Sequence, residues 1–174
     1  DRPVEEPAAL EGLKFRAYNA TTERLAQLLD MVPTQVEVAD LAQAFATGRV
    51  DAMVTSPSTG YNTKAWDYLT HYYDVQAWLP KNVVLMNKRA FRGLPPEQQE
   101  AVSAAAAAAE ERGWAASREE TEAKTRGLAQ NGIAVAPPSD ALRARLEEIG
   151  QRMTEAWLER AGEEGAAIVE AFRE

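Results

Sequence analysis

Residues 13–18 alternate apolar and polar side chains and are rich in strand formers, which predicts a β-strand. Asn19 ends it, and Thr21 or Thr22 is a suitable cap for a helix to about residue 31, with Leu25, Leu28 and Leu29 on one face. Val32-Pro33 stops that helix. Alternation returns over 35–38, and Asp40 then reads as the N-cap of a short helix carrying Leu41, Ala44 and Phe45, closed by Gly48. Residues 50–54 form a third strand running into the turn-prone segment 55–60. Strands alternating with helices predict a parallel or mixed sheet covered by helices, with any binding site at the carboxyl ends of the strands.

The second half reads as helix almost throughout. An aromatic and β-branched stretch from Tyr72 to Asn87, broken by Pro80, predicts two strands or one long bent crossing. Pro95-Pro96 opens a helix that no further proline interrupts before Asn131-Gly132, which gives about 35 residues and about 50 Å. Its alanine tract, residues 104–109, has high helix propensity and little bulk, which predicts close packing against a neighbour. A short strand at 133–136 follows. Asp140 then reads as the cap of a last helical region that breaks near Gly162 and Gly165. The division expected is an α/β lobe over 1–90, then a long crossing helix, a short strand and C-terminal helices over 91–174.

Composition narrows the function classes. In 174 residues there is no cysteine, which removes disulfides, zinc–thiolate sites and thiol nucleophiles. A net charge of −8 argues against a nucleic-acid partner, because counterion release needs clustered Lys and Arg. With 45% hydrophobic and 26% charged residues the chain is that of a globular protein. No apolar run is long enough to span a bilayer, and the first residues, Asp1-Arg2-Pro3-Val4, show no signal-peptide pattern.

Signals for catalysis are weak. Ser56 and Ser58 with the single histidine, His71, suggest a serine hydrolase, but the glycines of a nucleophile elbow are absent. As turn residues the serines cap the helix after Pro57 or offer hydroxyls to a ligand. His71 has no second histidine with which to hold a metal, and Glu110-Glu111 and Glu119-Glu120 read as solvated helix faces. Trp66, Tyr72, Tyr73 and Trp78 line an apolar pocket or fill a core. Arg16 stands out as a charge inside an apolar strand. Its fork suits a carboxylate, although on spacing alone an outward-facing residue or a structural ion pair is the commoner outcome.

The order of motifs carries more than any single one. Leu10-Glu11-Gly12-Leu13-Lys14-Phe15-Arg16, then Phe45-Ala46-Thr47-Gly48-Arg49-Val50-Asp51-Ala52, then Lys88-Arg89-Ala90-Phe91-Arg92-Gly93-Leu94-Pro95-Pro96-Glu97, resembles the C-terminal half of DctP-type substrate-binding proteins of tripartite ATP-independent periplasmic (TRAP) transporters. The resemblance runs from about Leu10 to about Pro137. It implies a periplasmic-binding-protein-like lobe with a mixed sheet, not an enzyme, that captures a small organic acid in the periplasm and delivers it to the membrane permease subunits. It also reverses the ordering for Arg16, which falls where the family holds the substrate carboxylate.

By the same resemblance Ser56 takes the place of a ligand-binding asparagine, and Val38 aligns with a pocket aromatic. Ala46 and Ala52 depart from a glutamine and a glycine of the family pattern. Asn19 adds a further hydrogen bond, and the segment from Tyr61 through Trp66 to Trp78 supplies aromatic wall. Thr55-Ser56 stands where some members carry a metal-binding Glu-Trp pair, so neither a metal nor another cofactor is expected. Because only the second half of such a protein is matched, the preceding half or a second copy is expected to cover the crossing segment and the long helix, and a signal sequence is expected to have been removed or to lie outside the chain. The alternative from another class is a helical protein–protein interaction module without a small-molecule ligand.

Overall fold

The computed structural model describes residues 3–77, 79, 80 and 82–173, so Asp1, Arg2 and Trp78 lie outside the described residues. After a 3-10 turn at Pro7–Leu10 come β1 (Lys14–Ala17), α1 (Ala20–Leu28), β2 (Val32–Gln35), α2 (Leu41–Ala46), β3 (Ala52–Met53) and α3 (Pro57–Asn62). The rest is β4 (His71–Tyr73), α4 (Lys88–Arg92), α5 (Pro96–Gln130), β5 (Ala134–Ala136) and α6 (Asp140–Arg173). One sheet has the order β2-β1-β3 and the other pairs β4 with β5, and every pairing is parallel. β1 is the central strand. Phe15 packs against Leu25, Ala26, Leu28 and Leu29 of the α1 region and Ile149 of α6. A second cluster of Val36, Leu41, Ala44 and Val50 takes in Met53, the register partner of Arg16 in β3. Successive strand residues face opposite ways, so Phe15 and Arg16 belong to different layers.

Packing crosses residue 90. Leu146, Ile149 and Met153 complete the first cluster, and Arg145 donates to the Leu28 carbonyl at 2.9 Å. A third cluster joins Ala65, Leu128 and Ile133 with Tyr61, Trp66, Tyr68 and Tyr72, and binds α3 and the end of α5 to the second sheet. Phe45 stacks on Tyr68 with ring centroids 4.9 Å apart and so links the second and third clusters.

Several elements differ from the sequence reading. The strand expected at 35–38 lies at 32–35, and Pro33 is inside it, paired with Phe15. β2 is an edge strand, where a residue without an N–H is tolerated on the open side. α1 ends at Leu28, and Asp30 turns the chain with φ 56° before buried Met31. Its cap is Asn19 rather than Thr21 or Thr22: Asn19 Oδ1 accepts from the Thr22 N–H at 2.8 Å, while the Thr22 hydroxyl answers the Asn19 N–H at 3.2 Å. Asp40 makes no side-chain capping bond. At α6 the cap is the Ser139 hydroxyl, 3.1 Å from the Leu142 N–H, with Asp140 already in the first turn. Gly162 interrupts α6 with φ 63° and ψ −151°, whereas Gly165 stays buried against Ala161 and Trp157.

The segment 72–87 forms strand only to Tyr73. Beyond it Leu79, Val83, Val84, Leu85 and Met86 are exposed. α5 has the expected length and limits, but residues 101–123 are exposed throughout, so the alanine tract packs on nothing among the described residues. Only its last turns are buried.

Candidate functional site at the carboxyl ends of the first sheet

The motif residues around β1 are first of all a clip. The Asp51 N–H donates to the Lys14 carbonyl at 2.7 Å, and Asp51 Oδ2 accepts from the Lys14 N–H at 2.9 Å. Lys14 Nζ donates to the carbonyl of Gly48, whose φ of 64° needs no Cβ penalty. These contacts set β1 and β3 in register and fix where their carboxyl ends open.

Arg16 is 3% exposed, which removes the outward-facing reading. No carboxylate lies within ion-pairing distance of it among the described residues, which removes the structural ion pair. Instead its Nε donates to the Val36 carbonyl at 2.8 Å, and its guanidinium lies over the Tyr18 ring, 4.6 Å from the centroid. One edge and one face of the fork are thus occupied. The terminal nitrogens make no hydrogen bond among the described residues and remain to receive two oxygens of a planar acid. Burial lowers the Arg16 pKa from its ordinary value, opposed by Tyr18 and Glu37, and the group stays a cation.

Three other candidates gather at the same end. Arg16 pairs in register with Thr34 of β2 and Met53 of β3. Asn19, Val38 and Ser56 follow those three residues by three or four positions, beyond the ends of β1, β2 and β3. All are exposed, Val38 by 50%. Asn19 and Ser56 are also helix caps: Ser56 Oγ accepts from the Thr59 N–H at 3.1 Å and meets Thr59 Oγ1 at 3.2 Å. Capping occupies the Asn19 oxygen and leaves its amide N–H groups free.

Tyr61 and Trp66 are placed elsewhere, in the third cluster. Their rings meet edge to face at 5.4 Å, and Lys124 of α5 caps the Tyr61 ring at 4.2 Å. A Cβ on Gly127 would stand 2.5 Å from Tyr61 Cε2, so α3 and α5 touch where only glycine fits. His71 bonds Thr70 Oγ1 at 2.8 Å and stacks on Tyr73, and no hydrogen bond joins it to Ser56 or Ser58 among the described residues. Two residues were missed as parts of the site. Thr22 is fully buried, and its hydroxyl accepts from the Tyr18 and Asn19 N–H groups at 3.1 and 3.2 Å, which holds the turn after Arg16. Glu37 follows the carbonyl that anchors Arg16. Thr22 had one signal, the Asn-x-x-Thr spacing of a reciprocal cap; Glu37 had none.

The family model described as bacterial extracellular solute-binding protein, family 7, matches residues 1–160. The chain belongs to this family. Among solved structures it is similar to DctP6 and DctP7 of Bordetella pertussis, extracytoplasmic solute receptors binding pyroglutamic acid. Identities are 44% and 45%, and TM-scores 0.92 and 0.91. A TRAP solute-binding protein from an unidentified microbe of a marine metagenome, in complex with co-purified pyroglutamate, is 40% identical with a TM-score of 0.89. In all three comparisons 99% of this chain is covered, and it spans 57% of the other. No curated protein matches. Among the described residues no helix is long and apolar enough to cross a membrane. The solute-binding family, rather than a helical interaction module, accounts for the order of the motifs and for the long helix.

Proposed function

We propose that this chain is the arginine-bearing lobe of a TRAP solute receptor that captures a small organic acid in the periplasm and presents it to the membrane permease, without chemical change to the acid. The observation that carries the reading is Arg16: a buried cation with Nε held by Val36, one face covered by Tyr18, and terminal nitrogens without a protein partner. A buried charge is costly unless it is paired, and a carboxylate ligand is the partner this geometry leaves room for. The Asn19 amide and the Ser56 hydroxyl are placed to add hydrogen bonds and Val38 to add an apolar contact. Tyr61 and Trp66 hold α3 against the end of α5.

The substrate class we favour is a cyclic amide acid of the pyroglutamate type, because the three relatives at 40–45% identity bind it. The exposed apolar run 83–86 and the bare length of α5 suit a second lobe or a second copy lying across them. Closure of such a lobe would dry the Arg16 pair and strengthen it. A titration of the 15N-labelled chain with L-pyroglutamate tests the reading. Shifts confined to residues 16–19, 36–38 and 56 in the parent chain, and absent in Arg16→Gln, are expected. Equal shifts in both proteins would refute it.

A further inference from the structure

Glu37 is an acid beside a buried arginine that does not close on it. Its backbone is extended, with φ −73° and ψ 156°, and it directly follows the carbonyl that accepts from Arg16 Nε. The side chain is exposed and caps nothing in the 3-10 turn that follows. Among the described residues it makes no hydrogen bond and no ion pair, whereas Arg145 pairs with its neighbouring acid Glu148 at 2.8 Å. Burial lowers the Arg16 pKa, and Glu37, after Tyr18, acts against that fall. A cation on β1 with two open terminal nitrogens and an anion with open acceptors just beyond the end of β2 therefore stand at the same end of the sheet, separated by more than an ion-pair distance.

We infer that Glu37 is a specificity-determining residue, accepting the N–H of a ligand whose carboxylate is held by Arg16. This rests on the carboxylate reading above and deepens it. The complementary ligand carries a carboxylate and, close to it, a hydrogen-bond donor, as a lactam acid does. A dicarboxylate would turn its second charge toward Glu37 and be repelled, and an acid with a ring oxygen in place of the N–H would leave two acceptors facing each other. Here the relatives' ligand supplies the class and Glu37 the reason for it.

The test compares L-pyroglutamate with its lactone analogue, 5-oxotetrahydrofuran-2-carboxylate, by NMR titration of the 174-residue chain. The two acids differ in a ring N–H against a ring oxygen. A charge-assisted hydrogen bond predicts that the parent chain prefers the lactam by about tenfold or more. Glu37→Ala, at an exposed position, should bring the ratio near one and admit succinate, while Arg16→Gln should abolish the response to every acid. A ratio unchanged by Glu37→Ala overturns this inference and leaves the Arg16 reading standing. Shifts that survive Arg16→Gln, or no response of the parent chain to any acid, overturn both.

Discussion

Arg16 and Val36 are joined across the first sheet by a hydrogen bond of 2.8 Å from the guanidinium Nε to the main-chain carbonyl. That bond connects β1 to the end of β2, twenty positions along the chain, and aims a buried cation toward the carboxyl ends of three parallel strands. Because the acceptor is a carbonyl, the positive charge is oriented without being neutralised, which is what an anion-binding arginine requires.

Removal of the charge separates binding from folding. Arg16→Met keeps most of the volume, relieves the burial of a cation and leaves the Val36 carbonyl without its donor. Those effects oppose each other, so denaturant unfolding should move by less than about 1.5 kcal/mol in either direction. The response to carboxylic acids should vanish in the same protein.

Thr22 holds the turn after Arg16 through its hydroxyl. Thr22→Val leaves two N–H groups without an acceptor and should cost about 1–3 kcal/mol. Thr22→Ser should recover most of the loss. Urea titrations give the cost, and faster hydrogen exchange at Tyr18 and Asn19 would locate it.

Gly127 lets α5 lie against the Tyr61 ring. Gly127→Ala places a methyl group 2.5 Å from Tyr61 Cε2 and should destabilise by about 1–3 kcal/mol despite the better helix propensity of alanine. On a Tyr61→Leu background the same substitution should cost less, so a double-mutant cycle on unfolding free energies reads the contact directly.

Alkaline pH provides a marker for the second sheet. Burial, with help from Asp74, pushes the Tyr72 pKa up to about 12. Its folded value exceeds the ordinary value of 10.0, so the folded chain holds the proton that the unfolded chain gives up. Stability from this group is complete below pH 10 and is lost as pH rises toward 12. Tyr72→Phe should flatten the fall over that window and remove the latest phase of the phenolate absorbance titration.

What the sequence disclosed, and what it concealed, follows from the range of the forces. β1, α1, α2 and α5 are legible because period, proline and glycine act within a few residues, and Arg16 is legible as a charge among apolar neighbours. Local rules misplaced β2, since Pro33 inside a strand is acceptable only on an edge, and edges are set by the order β2-β1-β3. They do not identify what lies against the alanine tract, which is bare among the described residues, because propensity says nothing of what lies opposite. In the site, Ser56 was readable as a cap, but the pattern put the α1 cap on Thr21 or Thr22 rather than on Asn19, and the partner of Arg16 is a backbone atom twenty residues away, which no side-chain pattern betrays. The aromatic pattern also said nothing of the third cluster, where Tyr61 meets α5 at Gly127 and Trp66 packs beside it.

The most direct test of the central claim is a crystal structure of the chain grown with saturating L-pyroglutamate. The carboxylate is expected on the two terminal nitrogens of Arg16, with Nε still bonded to the Val36 carbonyl. A ligand bound away from Arg16, or an Arg16 side chain turned onto a protein carboxylate, would contradict it.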